Sequence, residues 1–243
     1  MNLVIDIGNT LVKMAVFQGD ILIKKKISLK LDFLKNLEEL EQKYQKPANI
    51  ILSSVSKTPL KWLQKLKDGS KLLILDQNLP QVFTNLYATP NTLGNDRIAL
   101  VSAASKHFPA ENVLVVDTGT CITYDFKNNK NEYLGGAISP GLEMRYKAVH
   151  NFTENLPLLE REEEISLTGN STNSCIHSGV IFGITAEIDG IIASYQSQFK
   201  DLTIILTGGD AQFLCKRLKN GIFANSNFLL EGLNYILEFN KPQ

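Results

Sequence analysis

A short segment near the N-terminus, Asp6–Thr10 (Asp-Ile-Gly-Asn-Thr), brings a carboxylate, a glycine and a hydroxyl together between two apolar runs. The apolar runs predict buried strands, so the polar segment would form the turn of a hairpin. Glycine allows the backbone to approach a bulky ligand closely, and its N–H and the Thr10 hydroxyl can donate to phosphate oxygens. The Asp6 carboxylate can hold a hydrated Mg²⁺ beside those phosphates. The alternative is an ordinary hairpin turn, for which Asp, Gly and Asn are typical residues.

A second segment repeats this design. Asp117–Thr120 (Asp-Thr-Gly-Thr) follows the apolar run Val113–Val116 and precedes another strand-like run. Two such hairpins in one chain indicate two similar halves. Each half would then offer a carboxylate and phosphate donors to a shared cleft.

A third carboxylate, Asp96, stands in the segment Leu93–Arg97 (Leu-Gly-Asn-Asp-Arg), at the end of a long connection and just before the apolar helical stretch Ile98–His107. The start of a helix is a favourable place for a carboxylate. Phosphoryl transfer requires a metal-bound polyphosphate and a base at the acceptor hydroxyl. The twin hairpins could supply the first requirement and Asp96 the second. The alternative is that Asp96 only caps the helix.

The elements expected to position these residues alternate as strands and helices. In the first half, three strands are followed by a helix, a strand, a helix and a strand, and the second half begins again with strand, turn and strand. This order predicts an α/β fold with mixed sheets flanked by helices. A joint at Phe108–Ala110 gives predicted domains 1–109 and 110–243. The elements expected after the first strand are Leu11–Phe17, Ile21–Leu29, Leu31–Lys46, Asn49–Val55, a helix from Thr58-Pro59, and Lys71–Leu75.

Two stretches of the second half could also take part in binding. Thr172 is predicted to cap a helix that runs to Gln198, in which Gly179 and Gly183 leave room for a close neighbour. Apolar residues cover much of this helix, so it would belong either to the core or to a subunit interface. Thr207–Asp210 (Thr-Gly-Gly-Asp) follows a strand and precedes a helix, which suits either the packing of a nucleotide base or an ordinary turn.

Composition narrows the class of protein. The 243 residues include 25 Lys and Arg and 25 Asp and Glu, so the balanced charge argues against a nucleic-acid-binding protein. No apolar run reaches the roughly 18 residues of a membrane span, and the N-terminus lacks the basic segment of a signal peptide. The cysteines are Cys121, Cys175 and Cys215, an odd and widely spaced set typical of reduced thiols. We therefore expect a cytoplasmic protein without membrane or nucleic-acid partners.

Other nucleotide and catalytic motifs are absent from the sequence. It contains no Gly-x-x-x-x-Gly-Lys-[Ser/Thr] loop, no Gly-x-Gly-x-x-Gly after a strand and no Gly-x-Ser-x-Gly elbow. His107, His150 and His177 lack the spacing of metal ligands. The carboxylates next to glycines remain the candidates for chemistry.

The duplicated hairpin halves resemble the actin, sugar-kinase and heat-shock ATPase superfamily, and the ordered series of motifs resembles the type III pantothenate kinase family. The resemblance covers nearly the whole chain. Its motifs are Asp6–Thr10, Tyr87-Ala-Thr-Pro90, Leu93–Arg97, Asp117–Thr120, Gly135-Gly136 with Ser139-Pro140-Gly141, Ser171-Thr172 ahead of Ser178-Gly179, and Thr207–Asp210. It implies two ribonuclease H-like (actin-like ATPase) domains and an enzyme that phosphorylates pantothenate with ATP to give 4'-phosphopantothenate, the first step of coenzyme A biosynthesis.

The resemblance also implies roles for individual residues. Asp96 would be the general base for the pantothenate hydroxyl, Asp117 would bind a monovalent cation (K⁺ or NH₄⁺), and Asp6 would lie near Mg²⁺. Pantothenate would be held by Tyr87, Gly94, Asn95, Arg97 and Thr172, of which Arg97 suits a carboxylate because its planar fork can bind one bidentately. ATP would be bound by Asp6, Ile7, Gly8, Asn9, Thr10, Leu11, Val12, Lys13 and Thr120.

The resemblance further implies a homodimer with the substrate pocket at or near the subunit interface. The sequence departs from the family pattern at three positions: His177 stands in place of glutamine, Ser171 in place of asparagine and Cys121 in place of alanine. We expect these differences to affect packing rather than chemistry.

Two alternative functions remain open from the sequence. One is a kinase of the same architecture that acts on another small hydroxy acid or sugar. The other is a nucleotide-binding regulator that has kept the fold without turnover. The presence of Asp96 beside both hairpins argues against the regulator.

Overall fold

The computed structural model describes residues 1–56 and 58–241 and has a mixed α/β fold. The strands are β1 (Asn2–Ile7), β2 (Leu11–Gln18), β3 (Ile21–Leu29), β4 (Asn49–Ser54), β5 (Lys71–Ile74), β6 (Thr84–Asn85), β7 (Asn112–Thr118), β8 (Cys121–Lys127), β9 (Glu132–Pro140), β10 (Leu202–Thr207) and β11 (Phe223–Ala224). The α-helices are α1 (Phe33–Tyr44), α2 (Leu60–Lys67), α3 (Asn95–His107), α4 (Leu142–Asn151), α5 (Thr172–Gln198), α6 (Ala211–Cys215) and α7 (Phe228–Phe239). Short 3₁₀ turns occur at Lys30–Asp32 and Pro90–Thr92.

The chain forms two compact units. The first unit contains Met1–Pro109 and Asn227–Gln243, and the second contains Ala110–Ser226. In the first unit the strand order is β3-β2-β1-β4-β5, with β1 antiparallel to β2 and parallel to β4. Apolar side chains from one face of this sheet pack against α1 and α2, and the two helices contact each other through Phe33 and Trp62. The buried β1 thus has a strand on each side, which holds the carboxyl end of β1 and its turn in place.

The C-terminal helix α7 belongs to the first unit, whereas the sequence places 110–243 together in a second domain. The helix packs along α3, where a Cβ atom on Gly232 would lie 1.8 Å from the carbonyl oxygen of Ala99. The Asn2 side-chain amide also donates to Asn234 Oδ1 at 2.8 Å. This position differs from the predicted boundary because α7 buries its apolar face on elements far away in the sequence, and chain order alone does not reveal such packing.

In the second unit the strands follow the order β11-β10-β7-β8-β9. The β7–β8 and β8–β9 pairs are antiparallel, and β10 runs parallel to β7. The core lies between one face of this sheet and helices α4, α5 and α6, and it contains Tyr124, Phe126 and four isoleucines of α5 that are at most 1% exposed. Each unit therefore has a strand–turn–strand motif, which follows β1 in the first unit and β7 in the second.

Helix α5 spans the range predicted for it, but its N-cap is Ser171 rather than Thr172. The Ser171 side chain accepts from the Ser174 N–H, and the Ser174 hydroxyl accepts from the Ser171 N–H, which makes a capping box. Ser171 thus stabilises the start of the helix, and Thr172 is its exposed first residue. The prediction missed the cap by one residue because both residues are hydroxyl-bearing N-cap formers.

Candidate functional site

The Asp6 carboxylate lies in the β1–β2 hairpin and is only 5% exposed. Lys13 is its cross-strand neighbour, with Nζ 3.9 Å from Asp6 Oδ2, and the Ser53 hydroxyl at the end of β4 donates to Asp6 Oδ1 at 3.2 Å. Burial raises the pKa of Asp6, an effect that the charge of Lys13 and the Ser53 hydrogen bond oppose. A cation bound nearby would offset the free-energy cost of burying the ionised carboxylate, so the surroundings of Asp6 suit a metal-bound ligand.

The turn that follows Asp6 exposes its polar residues. Gly8 N–H donates to the Leu11 carbonyl at 3.0 Å, and Asn9, Thr10 and Leu11 are exposed. Lys13 is half-buried, so its ammonium group remains accessible. A ligand that reached this turn would find backbone N–H groups, the Thr10 hydroxyl and the Lys13 charge.

Two of the residues predicted to bind ATP are core residues in the structure. Ile7 and Val12 are 2% and 0% exposed and belong to the apolar cluster under the sheet. They are cross-strand partners, so they close the base of the turn. They position the turn by packing, and any contribution to a ligand would come from their backbone.

Asp96 lies in the first turn of α3, as the sequence predicts. Its Oδ1 accepts the Arg97 N–H at 2.9 Å, and Gly94 is the N-cap residue. A Cβ atom on Gly94 would lie 2.4 Å from Asp96 Oδ1, so glycine leaves the space that the carboxylate occupies. Burial is the main cause of the raised pKa of Asp6, and the negative charge of Asp96 raises it further. The two carboxylates therefore repel each other.

Two side-chain interactions hold the residues on either side of Asp96 in place. The Arg97 guanidinium is 5% exposed and stacks over the Tyr87 ring, with its Cζ 5.6 Å from the ring centroid. The Asn95 side-chain amide donates to the Leu75 carbonyl at 2.9 Å. The first unit therefore brings together the predicted residues Tyr87, Asn95, Asp96 and Arg97.

The second hairpin is enclosed by backbone. Gly119 N–H donates to the Cys121 carbonyl at 3.1 Å, and the Thr118 hydroxyl donates to the Thr207 carbonyl at 2.8 Å. Gly208 has φ +101°, and a Cβ atom on it would lie 2.4 Å from Asp117 Oδ1. The Thr207–Asp210 segment thus packs directly on the Asp117 turn, which leaves Thr120 exposed at the tip.

A cavity of about 380 Å³ lies beside this segment in the second unit. Its apolar lining includes Leu142, Tyr146 and Leu159, and its polar lining includes Arg161 and Asp210. The Arg161 guanidinium is 2.6 Å from Asp210 Oδ1 and lies over the Phe213 ring. Burial raises the pKa of Asp210, and the charge of Arg161 opposes that shift. Five of its nine lining residues are charged, so the cavity offers a small molecule both apolar surface and charged groups.

The three departures from the family pattern occupy structural positions. His177 is 4% exposed, with Nδ1 2.8 Å from the Tyr146 hydroxyl and Nε2 3.3 Å from Glu162 Oε1. Ser171 caps α5, and Cys121 is half-buried at the start of β8. Thr172, predicted to bind substrate, lines a separate open cavity of about 600 Å³ with the 169–171 segment.

Sequence reasoning missed Ser53 and Gln77. Ser53 is fully buried beside Asp6, and Gln77 donates from Nε2 to the Leu93 carbonyl at 3.0 Å. Ser53 carries a weak signal, since a serine at the end of a buried strand needs a hydrogen-bond partner. Gln77 lies in an irregular connection and carries no signal of its own.

The two mixed sheets flanked by helices are similar in fold to those of solved structures that the chain covers almost completely. A Campylobacter jejuni protein named as a Baf family transcriptional activator has TM-score 0.67 and 24% identity, with 98% of each chain covered. The inorganic polyphosphate/ATP-glucomannokinase from Arthrobacter sp. strain KM has TM-score 0.51 and 13% identity, again with 98% of each chain covered. At these identities the likeness defines the fold, and it confirms the predicted fold class.

Sequence comparison then identifies the family. The model for type III pantothenate kinase matches residues 2–194. The type III pantothenate kinase of Christiangramia forsetii is 57% identical over 243 residues, with both chains fully covered. That of Flavobacterium johnsoniae is 45% identical over 239 residues, which is 98% of each chain. The chain belongs to the type III pantothenate kinase family, and the predicted family is confirmed.

Proposed function

We propose that this chain transfers the terminal phosphoryl group of ATP to the hydroxyl of pantothenate to give 4'-phosphopantothenate, the first step of coenzyme A biosynthesis. Family membership and two full-length relatives with that name support the choice of substrate. The observation that carries the proposal is the pair of carboxylates in the first unit, a buried Asp6 beside Lys13 and an accessible Asp96 at the start of α3.

Asp96 acts as the general base. Its carboxylate receives the proton of the pantothenate hydroxyl as that oxygen attacks the γ-phosphorus, and the bond to the leaving ADP oxygen breaks. Arg97, fixed by the Tyr87 ring, pairs with the pantothenate carboxylate, and Gly94, the Asn95 backbone and Thr172 complete the substrate contacts.

ATP binds to the Asp6–Lys13 hairpin and to Thr120. The turn donates backbone N–H groups and the Thr10 hydroxyl, and Lys13 neutralises phosphate charge. A divalent metal accompanies ATP in kinases, and the oxygen donor of Asp6 suits Mg²⁺, which binds through few carboxylates and the substrate's own phosphates. Within the described residues, no cluster of three or more His, Cys, Asp or Glu could hold a metal ion, which is consistent with a metal carried largely by the nucleotide. When bound, Mg²⁺ would neutralise charge on the phosphate oxygens.

Asp117 binds the monovalent cation, K⁺ or NH₄⁺. A carboxylate and the carbonyl oxygens of a tight turn form the oxygen-rich set that such a cation prefers. The close backbone packing of Gly208 supports this role, because it fixes the carboxylate and the turn with little freedom. The cation would add positive charge near the phosphates.

The cavity beside Thr207–Asp210 receives the nucleotide base. Leu142, Tyr146 and Leu159 offer apolar surface to a flat ring, and Asp210 and Arg161 offer polar groups at the rim. Gly208 of this segment keeps its backbone close to the turn that carries Thr120.

The protein acts as a cytoplasmic homodimer in which α5 contributes to the interface. Within the described residues, α5 is the one helix long and apolar enough to cross a membrane, and 44% of its apolar window is buried inside the chain. Its exposed residues include Gly179, Gly183 and Phe182, which suit close packing against another subunit. Burial in a dimer accounts for this surface without a membrane.

The proposal is tested by the turnover of Asp96→Asn. This variant keeps the shape of the side chain and loses the basic oxygen, so kcat should fall by at least about 10²-fold. Asp68→Asn is the matched control and should leave kcat unchanged, because Asp68 is an exposed carboxylate that forms an ion pair with Lys46 at 3.0 Å. Near-normal turnover of Asp96→Asn would remove Asp96 from the mechanism.

The choice of acceptor is tested separately. ATP consumption by the wild-type chain should be stimulated by pantothenate and not by other hydroxy acids or sugars at the same concentration. Preference for another acceptor would identify a different small-molecule kinase, and nucleotide binding without any phosphorylated product would favour a regulator.

A further inference from the structure

Two side-chain amides connect the long 77–95 segment to the start of α3. Gln77 Nε2 donates to the Leu93 carbonyl at 3.0 Å and lies 3.4 Å from Asn95 Oδ1. Asn95 Nδ2 in turn donates to the Leu75 carbonyl at 2.9 Å. The two amides therefore form one chain of hydrogen bonds from the end of β5, through Asn95 and Gln77, to the residue that precedes Gly94.

These bonds act on the backbone that carries Asp96. Asn95 is the first residue of α3 and Asp96 is the second. Leu93 is 1% exposed and is held on its other side by the N–H donation to the Pro90 carbonyl at 3.2 Å. Side-chain amides therefore hold the backbone on both sides of Gly94: the Gln77 amide bonds to Leu93, and the Asn95 amide bonds to Leu75. Gly94 has no side chain and makes no such bond.

The segment between the two amides provides little other regular hydrogen bonding. Between Gln77 and Asn95 the regular elements are the two-residue β6 and the single 3₁₀ turn Pro90–Thr92. A segment of this kind is positioned chiefly by its side-chain contacts. Loss of the Gln77 amide would therefore allow Leu93 and the first turn of α3 to shift.

We propose that Gln77 is a positioning residue for the Asp96 carboxylate and that the Asn95 side chain acts with it rather than on the substrate. This inference rests on the proposed role of Asp96 as the base. Proton transfer requires the base within hydrogen-bond reach of the acceptor hydroxyl, and a displacement of about 1 Å can lower a rate by about 10²-fold. A smaller displacement, in which the helix is retained, should cost about tenfold in kcat.

A double-mutant cycle tests the inference. The variants are Gln77→Ala, Asp96→Asn and the combination of both, with Asn78→Ala as the matched control because Asn78 is an exposed neighbouring amide. We expect Gln77→Ala to lower kcat about tenfold with little change in KM for ATP, and Asn78→Ala to match wild type. In the Asp96→Asn background, Gln77→Ala should cause no further loss, because its effect passes through Asp96.

Gln77→Glu provides a second variant of nearly the same size. It lacks the donor that faces the Leu93 carbonyl, so it should also lower kcat, and thermal unfolding of each variant checks that the chain is folded. Wild-type kcat in a folded Gln77→Ala would overturn the inference, as would an equal loss in both backgrounds. Near-normal turnover of Asp96→Asn would overturn the proposed role of Asp96 as the base. Impaired Asp96→Asn with unimpaired Gln77→Ala would instead overturn only the role of Gln77.

Discussion

The β1–β2 and β7–β8 hairpins share one sequence design and differ in what surrounds it. In both, the glycine N–H donates to a carbonyl across the turn, from Gly8 at 3.0 Å and from Gly119 at 3.1 Å. The residue opposite the carboxylate is different. Asp6 faces Lys13 across the strands, whereas Asp117 faces Thr123. The first hairpin therefore carries a cation as part of its own strand pair, and the second pairs its carboxylate with a hydroxyl-bearing residue.

The backbone around the two turns also differs. A Cβ atom on Gly8 would meet only the Leu11 carbonyl at 3.3 Å, which belongs to the same turn. Around the second turn, a Cβ atom on Gly208 would lie 2.4 Å from Asp117 Oδ1. A Cβ atom on Gly141 would lie 2.4 Å from the carbonyl oxygens of Gly119 and Thr120. The first turn is open, and the second is enclosed by two other segments of its unit.

The comparison of the two hairpins indicates that a duplicated motif preserves a backbone shape more than a chemical role. An open turn with its own lysine suits a mobile, anionic ligand that enters and leaves. An enclosed turn with a fixed carboxylate suits a small ion. These surroundings support the proposed roles, in which nucleotide phosphates bind at Asp6–Lys13 and a monovalent cation binds at Asp117.

The largest expected effect comes from exchanging the two carboxylates for amides, one at a time. Asp6→Asn should lower kcat/KM for ATP by at least about 10²-fold, because it removes the charge proposed to hold the metal-bound phosphates. Asp117→Asn should instead weaken activation by K⁺. Initial rates across an ATP titration measure the first effect, and initial rates across a K⁺ titration at fixed ATP and pantothenate measure the second.

Each variant serves as the control for the other. Asp6→Asn should retain the fold-activation by K⁺ even though its rates are low. An unchanged K⁺ response in Asp117→Asn would show that the cation binds elsewhere, and equal K⁺ responses in both variants would remove the proposed distinction between the hairpins.

The enclosure of the second turn predicts a large loss of stability in Gly208→Ala. Its φ of +101° disfavours an L side chain, and its Cβ would lie 2.5 Å from the Thr118 carbonyl carbon. Clashes with backbone and strain of this kind should lower the free energy of unfolding by about 3 kcal/mol or more. Gly8→Ala, with its single contact at 3.3 Å, should lose about 1 kcal/mol or less. Chemical denaturation of both variants makes the comparison, and equal losses would contradict the difference in enclosure.

The sequence predicts the hairpins and α3 well because their signals are local. Apolar strands flank each Asp-x-Gly turn, and the polar run before Ile98 predicts the helix start that carries Asp96. The extent of α5 is predicted for the same reason, since buried apolar residues recur through most of its length, from Ile176 to Ile192.

Sequence reasoning fails where a residue's partner is distant in the chain. Gly232 is small because α7 lies against Ala99, a contact that joins the two ends of the first unit. The hydrogen bond of Ser53 with Asp6 depends on the parallel pairing of β1 with β4. These contacts arise from packing, so neither the position of α7 nor the support of Asp6 is readable from local patterns.

The cross-strand partners provide a subtler test of the two hairpins. Lys13→Met removes the charge beside Asp6 and keeps most of the side-chain volume, so KM for ATP should rise about tenfold, which corresponds to about 1.4 kcal/mol of lost binding. Thr123→Val occupies the equivalent place in the second hairpin and should leave KM for ATP near wild type. Its expected cost is a modest loss of stability, since the Thr123 hydroxyl donates to the buried Asp125 carboxylate at 3.0 Å.

Steady-state kinetics at saturating pantothenate measure this effect. A rise in KM for ATP in both variants would mean that the two hairpins contact the nucleotide in the same way. A wild-type KM in Lys13→Met would remove Lys13 from the phosphate site.

The smallest expected effect is a gain in stability when Asp6 loses its charge. Burial raises the pKa of Asp6 above its ordinary value of 3.8, so the folded chain binds the proton more tightly than the unfolded chain does. The protonated carboxyl therefore contributes stability below that ordinary value, and this contribution is lost as pH rises through the folded pKa. At neutral pH the ionised Asp6 is a cost, which Asp6→Asn removes.

Thermal unfolding of Asp6→Asn across pH measures this cost. At pH 7.5 the variant should melt above wild type, because the amide carries no charge to bury. The gain should shrink as pH falls toward the ordinary range of aspartate. Asp68→Asn is the control, because the hydrogen bond and charge of Lys46 lower the pKa of Asp68 and predict no gain. A lower melting temperature for Asp6→Asn at pH 7.5 would mean that Lys13 and Ser53 more than offset the cost of burying the Asp6 charge. The ionised carboxylate would then stabilise the first hairpin.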